Sequence, residues 1–123
     1  MRGSGVRILS PAPLNIMKYG KLKVMADFCS SGIWRYETGV MVDFEDLDIP
    51  KELIKSFEDW VEFYDSKCHT PRHYAFKEEM AEELNNRGRD LAKKLKIALP
   101  DTRVFFRGEI SGDMLALEEI TGV

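Results

Sequence analysis

The chain has 123 residues, 44% hydrophobic and 32% charged, with a formal charge of −3 and an isoelectric point near 5.4. That length suits one domain with a true core and no need of metal or disulfide staples. Its acidic balance argues against broad binding of nucleic acid or anionic membranes through bulk charge. No run is long enough to cross a bilayer, and Pro11 and Pro13 interrupt the only early apolar stretch, so no leader is expected. With two cysteines, the expectation is a cytoplasmic protein with reduced thiols.

Residues 1–16, MRGSGVRILSPAPLNI, lack periodicity and are rich in Gly, Ser and Pro. Val6-Arg7-Ile8 can be encoded as GTT CGA ATC, the core of a tRNA T arm, and Ser10-Pro11-Ala12-Pro13 is compatible with an acceptor stem and terminal CCA. The segment is therefore expected to be a disordered or non-native extension, read through from a tRNA gene, with Met17 as the native start. A plain flexible tail is the competing reading.

From Lys21 the pattern changes. Leu22, Val24, Ala26 and Phe28 alternate with polar positions, the period of a half-buried strand. Residues 29–32 form a small polar turn. Residues 33–36 and 40–42 flank Glu37-Thr38-Gly39 and read as a short hairpin, with Gly39 supplying a positive φ, or as an irregular loop. After the acidic stretch 43–48, Pro50 suits the first turn of a helix.

Residues 50–66 then place Leu53, Phe57, Trp60, Val61 and Tyr64 on one helical stripe. Pro71 breaks the pattern. A second helix over 75–99 buries Phe76, Met80, Leu84, Leu91 and Leu95, with Gly88 on the same stripe. A glycine there costs about 1 kcal/mol of helix propensity, so close approach of another backbone is expected. Val104 and Phe106 alternate in a further strand, residues 111–113 turn the chain, and residues 114–120 return as strand or short helix.

Several groups could carry chemistry, each with a plainer competitor. Cys68, His69 and His73, with Cys29 as a fourth ligand, could complete a tetrahedral zinc site, but the paired spacing on the cysteine side is missing. A polar loop between helices explains them more simply. Cys29 with either histidine could make a thiolate pair, though nothing local to Cys29 marks an activated thiol. Asp43, Glu45, Asp46 and Asp48 could hold a hard cation, but lack the spacing of a calcium loop. The basic run 87–96 finds acidic partners one helical turn away, as a solvated helix face does. Trp34 and Tyr36 lie close to the acidic stretch, and aromatics beside a charged rim can mark a protein-binding surface, while Trp34 could equally close off the core.

Several stretches together resemble a family of small bacterial proteins with no assigned activity. They are Ala26-Asp27-Phe28, Ile33-Trp34, Leu47-Asp48-Ile49-Pro50, Leu53, Trp60, Tyr64-Asp65, Gly88-Arg89-Asp90-Leu91-Ala92 and Val104-Phe105-Phe106, within roughly residues 20–107. These motifs are structural, so the resemblance transfers no catalytic residue. It leaves out the histidine loop.

The sequence thus predicts an α+β fold of two layers, an antiparallel helical pair packed on a small mixed β-sheet, with residues 17–123 as a single domain. The expected function is that of a cytoplasmic protein-interaction module of immunity or inhibitor type, not an enzyme. It needs no cofactor and binds a protein rather than nucleic acid or membrane. Trp34, Tyr36, Asp43, Glu45 and Asp46 are the candidate partner surface. The alternative is a small zinc-dependent or thiol enzyme using Cys29, Cys68, His69 and His73.

Overall fold

The computed structural model describes residues 19–70, 75–110, 113–114 and 116–122. The N-terminal extension 1–16, His73 and the turn residues 111–112 lie outside the described residues. Strand β1 (Lys21–Val24) is followed by β2 (Ile33–Arg35), helix α1 (Lys51–Lys67), helix α2 (Ala81–Ala98) and β3 (Arg103–Phe106). Short strands β4 (Glu109–Ile110), β5 (Asp113–Met114) and β6 (Glu118–Ile120) complete the order.

The main sheet runs β2-β1-β3-β6, while β4 and β5 pair separately. Strands β1 and β3 are parallel, and the outer pairings are antiparallel. A parallel pair needs a long crossover, and here the two helices supply it. The fold is the expected α+β arrangement of a helical pair on a mixed four-stranded sheet. Residues 114–120 are extended where described, ending in β6 rather than in a helix.

Alternation sorts the strands into two faces. Leu22, Val24, Ile33, Val104, Phe106 and Ile120 are buried together with Leu53, Phe57, Trp60, Leu84, Leu91 and Leu95 of the helices. Each such side chain withdrawn from water contributes roughly 1.5–3 kcal/mol. The helices run antiparallel. Leu53 of α1 lies by Ile97 and Ala98 of α2, while ten residues later Phe63 lies under the guanidinium of Arg87.

Three expectations need adjusting in detail. Phe28 ends the strand-like pattern but is 41% exposed, because β1 stops at Val24 and the chain turns. Helix α2 begins at Ala81 after a single 3-10 turn (Glu78–Met80), so Phe76 precedes it and pairs through a lone bridge with His69. Gly88 does meet a close neighbour, but it is aromatic rather than backbone. A Cβ there would stand 2.4 Å from Trp60 Cζ2 and 2.6 Å from Phe106 Cε1. Gly39 has the expected positive φ, 72°.

Candidate functional site

The helices take one face of the sheet, and no described element packs across the other. Register places Trp34, Lys23, Phe105 and Glu119 side by side across the four strands on this open face. Tyr36, just past β2, packs against Phe105 with ring centroids 4.6 Å apart and ring planes tilted by 40°. Lys21 Nζ sits 5.2 Å from the Tyr36 ring centre, and the Arg103 guanidinium 5.3 Å from that of Phe105. Cations over aromatic rings gain about 0.5–1 kcal/mol at exposed sites, so Lys21 and Arg103 help to hold the rings in place.

Polar partners fix this surface further. The Trp34 indole N–H donates to the Met25 carbonyl at 2.8 Å, which pins the ring in a half-buried position. Arg103 donates from Nε and Nη2 to the two oxygens of Glu119 at 2.8 and 2.7 Å. That side-on fork holds the Glu119 carboxyl below its usual value and raises the Arg103 guanidinium. Lys23 differs. Burial, and then repulsion by Arg107, push its ammonium below the ordinary lysine value. Arg107 lies two residues beyond Phe105, its amide hydrogen-bonded to the Val24 carbonyl, and its Nε is buried without an acceptor.

Of the residues expected to bind a partner, Trp34 and Tyr36 are therefore brought together on the open face. Asp43, Glu45 and Asp46 line the 3-10 turn (Phe44–Asp46) that leads into α1, whose Phe44 packs toward Phe57 on the covered side. Among the described residues no hydrogen bond, ion pair or ring contact joins this acidic turn to Trp34 or Tyr36. The basic members of the face, Lys21, Lys23, Arg103 and Arg107, and the ring of Phe105, did not emerge from the sequence as a group. Their signal is the alternation in residues 21–24 and 103–107, read for its polar rather than its apolar positions.

A second cluster gathers at the end of α1. His69 Nδ1 is 2.9 Å from the Tyr64 carbonyl, and the imidazole packs among Phe28, Tyr64 and Phe76 at 4.6, 4.6 and 5.6 Å. Cys68 is fully buried, and burial pushes its thiol up to about 11, whereas Cys29 is exposed at a φ of 53°. Among the described residues no group of three or more His, Cys, Asp or Glu side chains is arranged to hold a metal.

Carboxylates dominate the same region. The Cys29 amide donates to Asp65 Oδ2 at 3.4 Å, while Asp65 Oδ1 is buried without a donor. Glu109 takes the Tyr64 hydroxyl, yet its Oε1 is also buried and unpaired. Burial raises the pKa of both acids, opposed at Glu109 by the Tyr64 hydrogen bond and reinforced by nearby Asp27. Asn85 of α2 grips the Glu109 backbone, donating from Nδ2 to its carbonyl at 2.7 Å and accepting its amide at 2.9 Å.

No helix among the described residues is long and apolar enough to cross a membrane. Residues 20–109 match the family described as Serratia CdiI immunity protein-like, and the chain belongs to that family. The match spans Lys21, Lys23, Trp34, Tyr36, Arg103, Phe105 and Arg107, and stops short of Glu119. No curated protein matches the chain.

Proposed function

We propose that this chain is a cytoplasmic immunity protein that protects its cell by binding a protein toxin, without chemistry of its own. Family membership supports the class of function. The observation that carries the reading to a surface is the open sheet face, where Trp34 and Tyr36 stand half-buried on a rigid strand pair. Aromatic rings held in place by neighbours lose little rotamer freedom on binding and dominate protein interfaces. Asp43, Glu45 and Asp46 then belong to the rim of that interface, on the side of β2 away from β1.

The enzyme alternative draws less support. A thiol whose pKa is raised to about 11 is a poor nucleophile at neutral pH, and His69 already spends Nδ1 on the end of α1. The test is co-expression with candidate toxin domains, including any encoded next to this chain's gene. The chain should restore growth and bind the purified toxin domain at equimolar ratio. Trp34→Ala should weaken that binding at least about tenfold, as interface aromatics do, while the free chain, though less stable for want of the bond to Met25, stays folded by circular dichroism. Growth arrest that persists despite abundant, folded protein would refute the proposal.

A further inference from the structure

We infer that the open sheet face docks an acidic segment of a protein partner, one of whose carboxylates bridges Lys23 and Arg107. This rests on the reading of the chain as a partner-binding immunity protein and adds the chemistry of the partner.

The argument begins with charge on an acidic chain. Among the described residues, the face carries Lys21, Lys23, Arg103 and Arg107 on its strands against a single strand carboxylate, Glu119. Arg103 is satisfied by Glu119 and Lys21 rests over Tyr36. Lys23 and Arg107 form no ion pair among the described residues. They are diagonal neighbours on parallel strands, within reach of each other's charge, and each makes the other costlier. A fold gains nothing from two cations placed side by side and partly desolvated, unless an anion comes between them.

The fold also shows how such an anion is taken. Arg103 holds Glu119 through Nε and Nη2, and on Arg107 the matching Nε lacks an acceptor. The two arginines lie on the same strand line with Phe105 between them. Arg107 Nε is itself closed off from solvent, so a carboxylate arriving beside Phe105 would be met by the outer nitrogens of the half-buried Arg107 guanidinium and by the Lys23 ammonium. Trp34 and Tyr36 flank the spot and supply apolar contact to the rest of the segment. Charge-assisted hydrogen bonds of this kind contribute more than neutral ones and fix orientation.

A titration followed by amide and indole NMR tests the inference, with hexaglutamate as the probe at low salt. Shifts should centre on Lys23, Trp34 and Arg107, fade as salt is raised, and weaken about tenfold in the variant carrying Lys23→Gln and Arg107→Gln. Shifts spread equally over the lysines of α2, or none at all, overturn it. So does a single-stranded RNA of similar charge binding the face more tightly than hexaglutamate, which would make phosphate the ligand. A toxin domain bound equally by wild type and variant overturns it as well. A toxin domain bound by neither removes the immunity reading, and the hexaglutamate result then decides the surface alone.

Discussion

The Trp60 indole N–H crosses the helix pair to donate to the Leu84 carbonyl at 2.9 Å. This bond fixes the ring where Gly88, one turn further along α2, leaves room for it. It ties the two helices together at the point where both meet Phe106 of the sheet. The same ring lies 3.2 Å from where a Cβ on Gly32 would stand, so one side chain couples both helices to the turn before β2.

Gly88→Ala follows directly. In an exposed helix this change gains about 1 kcal/mol of propensity. Here the new methyl would overlap a ring that cannot retreat without losing its hydrogen bond, and overpacking of this kind costs about 1–3 kcal/mol. The overlap should win, destabilising the chain by up to about 2 kcal/mol net, or a fall in melting temperature of up to roughly 10 °C. Thermal unfolding by circular dichroism measures it, and an unchanged or higher midpoint would show that the rings can shift.

Asn85 secures the start of β4. Its amide satisfies both backbone groups of Glu109, and its Oδ1 occupies the space that a side chain at residue 108 would need, 2.4 Å from a Cβ there. Asn85→Ala leaves a part-buried N–H and C=O without partners. That should cost about 2 kcal/mol, and Asn85→Asp should recover only the bond to the amide. Hydrogen exchange at Glu109 should accelerate by at least about tenfold in the alanine variant. Protection equal to wild type would locate the restraint elsewhere.

Glu109 makes stability depend on pH in a definite sense. Its folded pKa lies above the unfolded value, so between the two the folded state binds more protons than the unfolded one. Its contribution to stability is therefore largest below the unfolded value of about 4.3 and declines as pH rises through the folded value. Asp65 acts in the same sense, also raised by burial, and Glu119 in the opposite one because Arg103 lowers it. Glu109→Gln, which keeps an acceptor for the Tyr64 hydroxyl, should raise stability at pH 7. It should also flatten the gain on acidification toward pH 5, seen in urea titrations at the two pH values. A variant with an unaltered pH slope would show that Glu109 is not the group responsible.

Sequence periodicity revealed the layers because helices and strands each repeat one simple contact. The stripe from Leu53 to Tyr64, the alternation of Leu22 and Val24, and Val104 with Phe106 all report where water is excluded. What lay on the other side of the strands was harder to read. Lys21 and Lys23 look like ordinary solvated lysines until β1 is set beside β3, which lies some eighty residues away and contributes Arg103, Phe105 and Arg107. Proximity in sequence says less about the acidic residues. The acidic residues 43–46 follow Trp34 and Tyr36 closely, yet Phe44 draws that turn toward Phe57. Cys68 and His69 suggested ligands by type, and only the end of α1 shows that one fills the core and the other closes a helix.

The two thiols should therefore part company under alkylation. Cys29 is exposed and Cys68 is buried with its thiol pushed up to about 11. At pH 7 such a thiol is ionised only about one part in ten thousand, and attack also requires the end of α1 to open. Iodoacetamide at pH 7 should label one cysteine per folded chain, with Cys68 at least about a thousandfold slower than Cys29, and both should react once the chain is unfolded in urea. Mass spectrometry of the labelled peptides assigns the site. Rapid labelling of Cys68 in the folded chain would mean that the end of α1 opens readily, and would return the thiol chemistry to consideration.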